Sequence, residues 1–454
     1  MPVEVPLMDA VVGNPPFIRY QKFKGEVRGR ALRRSEEQGV KLPKLASSWA
    51  AFVVHSTALL RNGGRLAMVL PMELGYAAYA RPVLSHLARH FSRLHILTFQ
   101  RSLFPKISEE TVLLLAEEKK TPDGRLAEAQ LHDLNGAAAL RAFDLVRECG
   151  TDIGAFIRGQ RRLAEFLIPV RARELYLRLH ALGLSCRFGT MADTGIGYVS
   201  GNNDFFHPDE LSVQSWRLPS RFLRPAVLSG AALKGIEFSK QDWHDGLKAG
   251  DTGQLLFLRP ASGELPEVVQ AYLNHGRQQG VHNAYKCKSR KPWYCVPHVY
   301  HADGFLTYMS GAMTRLVSNS ADAVAPNTLH VVRLRRGSSL KMPELACRWL
   351  TSLTQLSVEI EGHSLGGGML KLEPTEAEQV LIPLGAEKMA LTTDARNEFD
   401  TLLRAGETDR AREVADQLFL RGELGLSGRE CAMLQQAALL LRNRRQCRKR
   451  TDTV

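Results

Sequence analysis

Residues 8–20 read Met-Asp-Ala-Val-Val-Gly-Asn-Pro-Pro-Phe-Ile-Arg-Tyr (MDAVVGNPPFIRY). Ala10, Val11 and Val12 form a short apolar run with the length and composition of a buried strand. The run empties directly into Asn14-Pro15-Pro16-Phe17, so these four residues sit where the carboxyl end of a strand opens onto a crevice. Proline fixes its own φ and restricts the residue before it, which leaves the oxygen acceptors of such a turn stiff. A Pro-Pro turn after a core strand is the plainer reading of the same residues.

Stiff acceptors suit one kind of substrate, an amino group on a planar base. The nitrogen lone pair of such a group is delocalised into the ring and becomes nucleophilic only when fixed acceptors hold both amino hydrogens. The Asn14 side chain offers one carbonyl and the Pro15 main chain a second. Phe17 offers a flat face for a base to stack on, worth about 1–3 kcal/mol. With these residues in place, DAVVGNPPFIRY resembles the catalytic motif of the TaqI-like DNA adenine-N6 methyltransferases. A second stretch, SLFPKISEETVLLL at 102–115, is similar to the segment of that family that supplies the other aromatic wall. By that match Phe104 faces Phe17 across the base, although an FP pair ahead of a strand is also a common core-and-turn arrangement.

Around the motif the pattern is strand, helix, strand, helix, strand, strand. Its elements are a helix after Ser47/Ser48 ended by Asn62-Gly63-Gly64, a strand Arg65–Leu70, a helix Arg81–His90, and strands Leu94–Phe99 and Thr111–Ala116. This alternation marks an α/β sheet. On the first helix Trp49, Phe52, Val53, Ser56 and Leu60 share a face. The basic stretch from Arg19 to Lys44 reads as a loop, either tracking a phosphate backbone through Arg19, Lys22 and Lys24 or merely solvated. Leu126–Leu134 reads as a further strand and Arg171–Leu182 as a helix.

From Met191 the texture changes to short strands and frequent turns. SRFLRPAVLSGAALKG (220–235), KCKSRKPWYCVP (286–297), APNTLHVVRL (325–334) and EGHSLGGGMLKLEP (361–374) resemble the sparse markers of the target-recognition domain of the same family. Lys286, Lys288, Arg290 and Lys291 can neutralise phosphates there. Trp293 and Tyr294 are stacking faces or core, with core the better reading of Trp293. Gly366-Gly367-Gly368 lacks the spacing of a nucleotide-binding loop and reads as a close backbone approach. His363 beside it reads as a structural histidine. Near the end Ser427 and Glu430 form a capping box, with Cys431, Leu434, Ala438 and Leu441 on one face and a basic cluster from Arg442 to Arg450.

The expected class is α/β: an incomplete Rossmann-like methyltransferase sheet, an α+β target-recognition domain and a C-terminal helical segment. The expected boundaries are 1–150 for the catalytic part, 151–189 for a helical connector, 190–385 for the recognition domain and 386–454 for a helical basic tail. The resemblance implies transfer of a methyl group from S-adenosyl-L-methionine to a flipped adenine in double-stranded DNA, within a restriction-modification system and without a metal. The family's Gly-rich cofactor loop does not precede Asp9, which leaves β-edge residues Ala10–Gly13 bare. A partner chain carrying that half, a truncated remnant, or a start upstream of Met1 each account for the gap. The competing functions are a non-catalytic DNA-recognition subunit and a methylase acting on RNA bases or protein glutamine.

Bulk properties agree with a polyanionic partner. The 454 residues carry a formal net charge of +13, which favours nucleic acid. No apolar run reaches the length of a membrane span and no signal peptide is evident, so a cytoplasmic location is expected. The seven cysteines are scattered without a CxxC pair and read as free thiols.

Overall fold

A computed structural model describes residues 6–104, 109–145, 147–259, 265–385 and 391–447. The chain divides into two compact units. The first comprises Met1–Arg173, His363–Met369 and Leu439–Val454; the second comprises Glu174–Gly362 and Leu370–Ala438.

The first unit is built on a six-stranded sheet. Its strands are β1 (Met8–Gly13), β2 (Leu60–Pro71), β3 (Phe91–Phe99), β4 (Thr111–Lys119), β5 (Glu128–Leu134) and β6 (Thr151–Asp152), in the spatial order β1-β2-β4-β3-β5-β6. β1 lies parallel to β2, β4 is antiparallel to both β2 and β3, and β5 is parallel to β3. The carboxyl ends of β1, β2, β3 and β5 and the amino end of β4 therefore share one end of the sheet.

Alternation along β2 and β4 buries Leu66, Met68 and Leu70 together with Val112, Leu114 and Ala116. Among the helices that accompany the sheet are α1 (Gly25–Glu37), α2 (Ser48–Ala58) and α3 (Ala80–His90). Trp49 and Val53 of α2 and Val83, Leu84 and Leu87 of α3 join the same core. Each fully buried side chain of this size stabilises the fold by about 1.5–3 kcal/mol.

Several expectations from sequence change here. The basic stretch after Phe17 is not a loop throughout, because Gly25–Glu37 is helical. Of its side chains only Ser35 is buried, so apolar periodicity gives little sign of it, and Arg30–Glu26 and Arg34–Glu37 ion pairs line its exposed face. Asn62-Gly63-Gly64 does not end α2, which stops at Ala58. These residues form an irregularity within β2, where Met8 pairs with Leu60 but Ala10 already pairs with Arg65. Gly63 provides the left-handed backbone (φ +80°) that this bulge requires. Phe52 is 49% exposed although Trp49, Val53, Ser56 and Leu60 are buried as expected. Nearly all of α2 is enclosed, and Phe52 and His55 occupy its open stripe.

β1 stands at the edge of its sheet, with Leu7, Met8 and Val12 exposed. The Gly366–Gly368 turn is a close approach: a Cβ on Gly368 (φ +74°) would meet the Arg445 carbonyl oxygen at 3.1 Å. His363 stacks on Tyr76 with ring centroids 4.5 Å apart. At the end of the chain Arg444 and Arg445 turn inward rather than outward. Arg444 binds Asp133 at 2.6 Å and the Phe99 carbonyl at 3.2 Å, and Arg445 donates to the Gly368 carbonyl. Burial pushes the Asp133 carboxyl up, but Arg444, Thr98 and Gln100 together hold it below its ordinary value. Arg448, Lys449 and Arg450 lie outside the described residues.

The second unit contains a five-stranded sheet in the order Glu237–Phe238, Leu316–Asn319, Gly304–Leu306, His330–Leu334, Ala192–Ile196. Helices Met342–Trp349 and Ser352–Glu361 are almost wholly buried. The fully buried Arg348 is bound bidentately by Glu423 at 2.9 and 2.7 Å, is reached by Glu344 at 3.0 Å, and lies over the Phe419 ring. Phe205, Phe206, Tyr272 and Trp293 form a separate aromatic cluster. Trp293 is thus core, as expected, and Tyr294 is half-buried beside it. The Ser427/Glu430 capping box is present, with Ser427 N–H donating to Glu430 at 2.9 Å and Glu430 N–H to Ser427 at 3.2 Å. Cys431, Leu434, Ala438 and Leu441 are all buried.

Candidate active site

The strand directions bring Asn14–Phe17 after β1, Met72–Tyr76 after β2, Gln100–Phe104 after β3 and Glu109–Glu110 before β4 to one end of the sheet. β1 and β4 are two strand positions apart, about 10 Å. One contact joins β2 to β4 and one crosses the full span. Met72 N–H donates to the Glu110 carbonyl at 2.8 Å, and the Arg19 guanidinium donates to Glu109 at 2.9 and 3.2 Å, joining residues 90 apart in sequence. The Glu109 hydrogen bond raises the Arg19 pKa above its ordinary value. The pair is largely exposed, so it contributes about 0–1 kcal/mol to stability.

Within the Asn-Pro-Pro-Phe turn, Asn14 and Pro16 are exposed, Pro15 is buried and Phe17 is half-buried against the core. The Pro16 carbonyl accepts from the Ser48 hydroxyl, which in turn accepts from the Ile18 N–H at 3.0 Å; Ser48 N–H donates to the Ile18 carbonyl at 3.1 Å. Among the described residues no hydrogen bond occupies the Asn14 side chain or the Pro15 carbonyl. Phe104 is half-buried, and its N–H donates to the Ser102 hydroxyl at 3.2 Å.

The floor behind the turn is polar. One oxygen of Glu73 accepts from Ser47 and from Trp49 Nε1, each at 3.3 Å, and from the Tyr79 hydroxyl. Trp49 Nε1 also reaches the Tyr79 hydroxyl at 2.9 Å. Burial first, and the bond to Glu73 second, push the Tyr79 pKa above its ordinary value, so Tyr79 is a fixed donor to the Glu73 carboxylate.

Lys22 and Lys24 are exposed on the approach to α1. In the second unit Lys286, Lys288 and Lys291 are exposed, whereas Arg290 is half-buried and spends its guanidinium on the Ser200 and Val199 carbonyls at 2.7 and 2.6 Å. Burial holds its pKa below the usual value. The exposed ring of that segment is Tyr285, at 82%, with Lys286 Nζ 5.6 Å from its centroid. Ser48, Glu73 and Tyr285 carry no local sequence signal of a role. Ser48 and Glu73 act on residues 32 and 24 positions away, and the two serines at the start of α2 look like an ordinary helix cap. Neither makes a side-chain cap bond.

Among the described residues no cluster of His, Cys, Asp and Glu is arranged to hold a metal ion, and no helix is long and apolar enough to cross a membrane.

Against this geometry stand the similarities to known proteins. Residues 160–420 match the family described as the C-terminal domain of the Type II methyltransferase M.Eco57I, and residues 7–104 match the Eco57I restriction-modification methylase family. The Type II methyltransferase M.AccI of Acinetobacter calcoaceticus is 20% identical over 388 residues, covering 83% of this chain and 69% of that protein. The Type II methyltransferase M.XamI of Xanthomonas campestris pv. amaranthicola is 22% identical over 394 residues, covering 82% and 67%. Among solved structures, the type IIG restriction endonuclease BpuSI is similar at 14% identity with a TM-score of 0.40. That match covers 97% of this chain, which spans about half (54%) of the BpuSI chain.

Proposed function

Since the chain belongs to the family of Type II methyltransferase M.Eco57I C-terminal domains, a family of restriction-modification DNA methyltransferases, we propose that it presents the target base for adenine-N6 methylation of double-stranded DNA. The adenine is extruded from the duplex at a cost of a few kcal/mol and enters the open end of the sheet. There the Asn14 side-chain carbonyl and the Pro15 carbonyl hold its two amino hydrogens, and Phe17 and Phe104 flank its ring. Withdrawing both hydrogens into fixed acceptors localises the nitrogen lone pair, which makes the amino group the nucleophile. One observation carries this reading: the two acceptors are unspent, while the next carbonyl in the turn, that of Pro16, is taken by Ser48.

Methyltransferases of this family use S-adenosyl-L-methionine. The described residues do not fit its cradle. The Gly366–Gly368 turn packs against Arg445, and β1 is an open edge. The reading places the cradle on a strand added beside β1, from a partner chain or from further residues of the same polypeptide. Phosphates are met by Lys22 and Lys24 beside the turn and by Lys286, Lys288 and Lys291 in the second unit. Arg19 and Arg290 are already committed to Glu109 and to backbone carbonyls, so their role there is secondary.

Single-molecule sequencing of DNA from cells expressing the chain together with its genomic neighbours tests the reading and reveals the DNA word. N6-methyladenine at one motif, absent with Asn14→Ala, is expected. Methylation that persists unchanged in Asn14→Ala sinks the assignment.

A further inference from the structure

We propose that Ser48 is a positioning residue that fixes which proline carbonyl is offered to the target amino group, a proposal that rests on the reading of the turn given above. Several torsions between Asn14 and Ile18 bear on which carbonyl faces the ligand. The pyrrolidine rings fix φ at Pro15 and Pro16. Each of Asn14 and Pro15 precedes a proline, which confines its ψ to the extended region. The soft torsions that remain are ψ of Pro16 and the two torsions of Phe17. Proline chemistry alone leaves the second half of the turn free.

Ser48 spans that second half. Its hydroxyl donates to the Pro16 carbonyl on one side of Phe17 and accepts from the Ile18 N–H at 3.0 Å on the other. Its own N–H closes the Ile18 carbonyl at 3.1 Å. A single residue thereby brackets every torsion that the prolines leave soft, holding the backbone on both sides of Phe17. Ser48 is itself held, being 1% exposed at the start of α2. Its neighbours on either side, Ser47 and Trp49, are anchored on the Glu73 carboxylate after β2. The tripeptide Ser47-Ser48-Trp49 thus ties the turn after β1 to the turn after β2.

The chemical consequence is selective. With one lone pair of its carbonyl engaged by Ser48, Pro16 is held facing α2 and is the weaker acceptor for a ligand. The Pro15 carbonyl and the Asn14 side chain are left as the pair, one residue apart on the rigid half of the turn. Release of the Pro16 carbonyl gives the amino group a competing proline acceptor beside that of Pro15 and loosens the backbone on either side of Phe17.

The test uses the full chain and four variants, Ser48→Ala, Ser48→Cys, Ser48→Thr and Ser47→Ala. Amide hydrogen exchange is followed at Ile18, with Leu66–Leu70 of β2 as the internal reference. Ser48→Ala and Ser48→Cys are expected to speed exchange at Ile18 by about tenfold or more without changing β2. Ser48→Thr, which keeps the hydroxyl, restores protection, and Ser47→Ala leaves Ile18 protected. In the cellular methylation assay, Ser48→Ala and Ser48→Cys are expected to lower the methylated fraction and Ser48→Thr to retain it. Unchanged exchange at Ile18 in both Ala and Cys variants overturns the proposal, as does a loss of methylation that Ser48→Thr shares. If Asn14→Ala leaves methylation intact, the reading of the turn fails, whereas the exchange measurements still report on the Ser48 hydrogen bonds.

Discussion

Arg348 shows how far a charge can be taken inside this protein and what holds it there. It is fully buried between two carboxylates and an aromatic face, and Glu423, also wholly buried, gives it both oxygens. Pairs of this kind add little net stability over an apolar replacement, but removal of one partner strands the other charge. Glu423→Gln is therefore expected to cost about 3 kcal/mol, read as a fall in the denaturant midpoint of the full chain, with a smaller loss for the partly exposed Glu344→Gln. Single residues also mark the limit of sequence reading. Asn14 to Phe17 are legible because strand, turn and ring are contiguous. Ser48 and Glu109 are not, because their partners lie 32 and 90 residues away and nothing in their own neighbourhoods sets them apart. Arg19 and Arg290 look like free cations in the sequence, and each is engaged by its own chain.

Buried histidines link the stability of the first unit to pH. His95 of β3 and His132 of β5 face each other with ring nitrogens 3.2 Å apart, both buried, and burial lowers both pKa values. In α3, burial lowers His86 to about 4. A histidine with a folded pKa below its unfolded value of about 6.5 takes up its proton more readily in the unfolded chain. The stability it contributes is full above about 6.5 and is lost as pH falls towards the folded value. His86 alone is expected to withdraw about 2 kcal/mol between pH 7.5 and pH 5. Urea denaturation at the two values checks this, and His86→Gln is expected to flatten the difference. The strands and helices of this unit are largely legible from apolar periodicity, as at β2 and β4, where inward residues alternate. α1 is hidden because its one buried side chain is a serine, so it gives the periodicity nothing to detect.

For the molecule entire, the excess of positive charge sets the terms of its encounter with DNA. Lys286, Lys288 and Lys291 stand exposed beside the solvent-facing Tyr285 ring. Replacing the three lysines by alanine is expected to weaken DNA binding at low salt and to reduce the slope of log affinity against log salt by about 0.9 for each phosphate no longer neutralised. Equal slopes for parent and variant in a salt titration would remove these residues from the interface. The composition changes sharply near Met191, whereas the compact units part at Arg173 and Glu174, and no compositional signal marks the return of residues 363–369 and 439–447 to the first unit. There Arg444 meets Asp133 and the Phe99 carbonyl, and Arg445 joins the two returning segments through the Gly368 carbonyl.

This last arrangement bears on how the protein is made. The sheet that carries Asn14 leaves the ribosome long before the helix that carries Arg444, so Asp133 and the Phe99 carbonyl wait for an arginine translated more than three hundred residues later. A nascent chain arrested before residue 444 lacks the guanidinium that meets Asp133, whose carboxylate then has only Thr98 and Gln100 as side-chain partners.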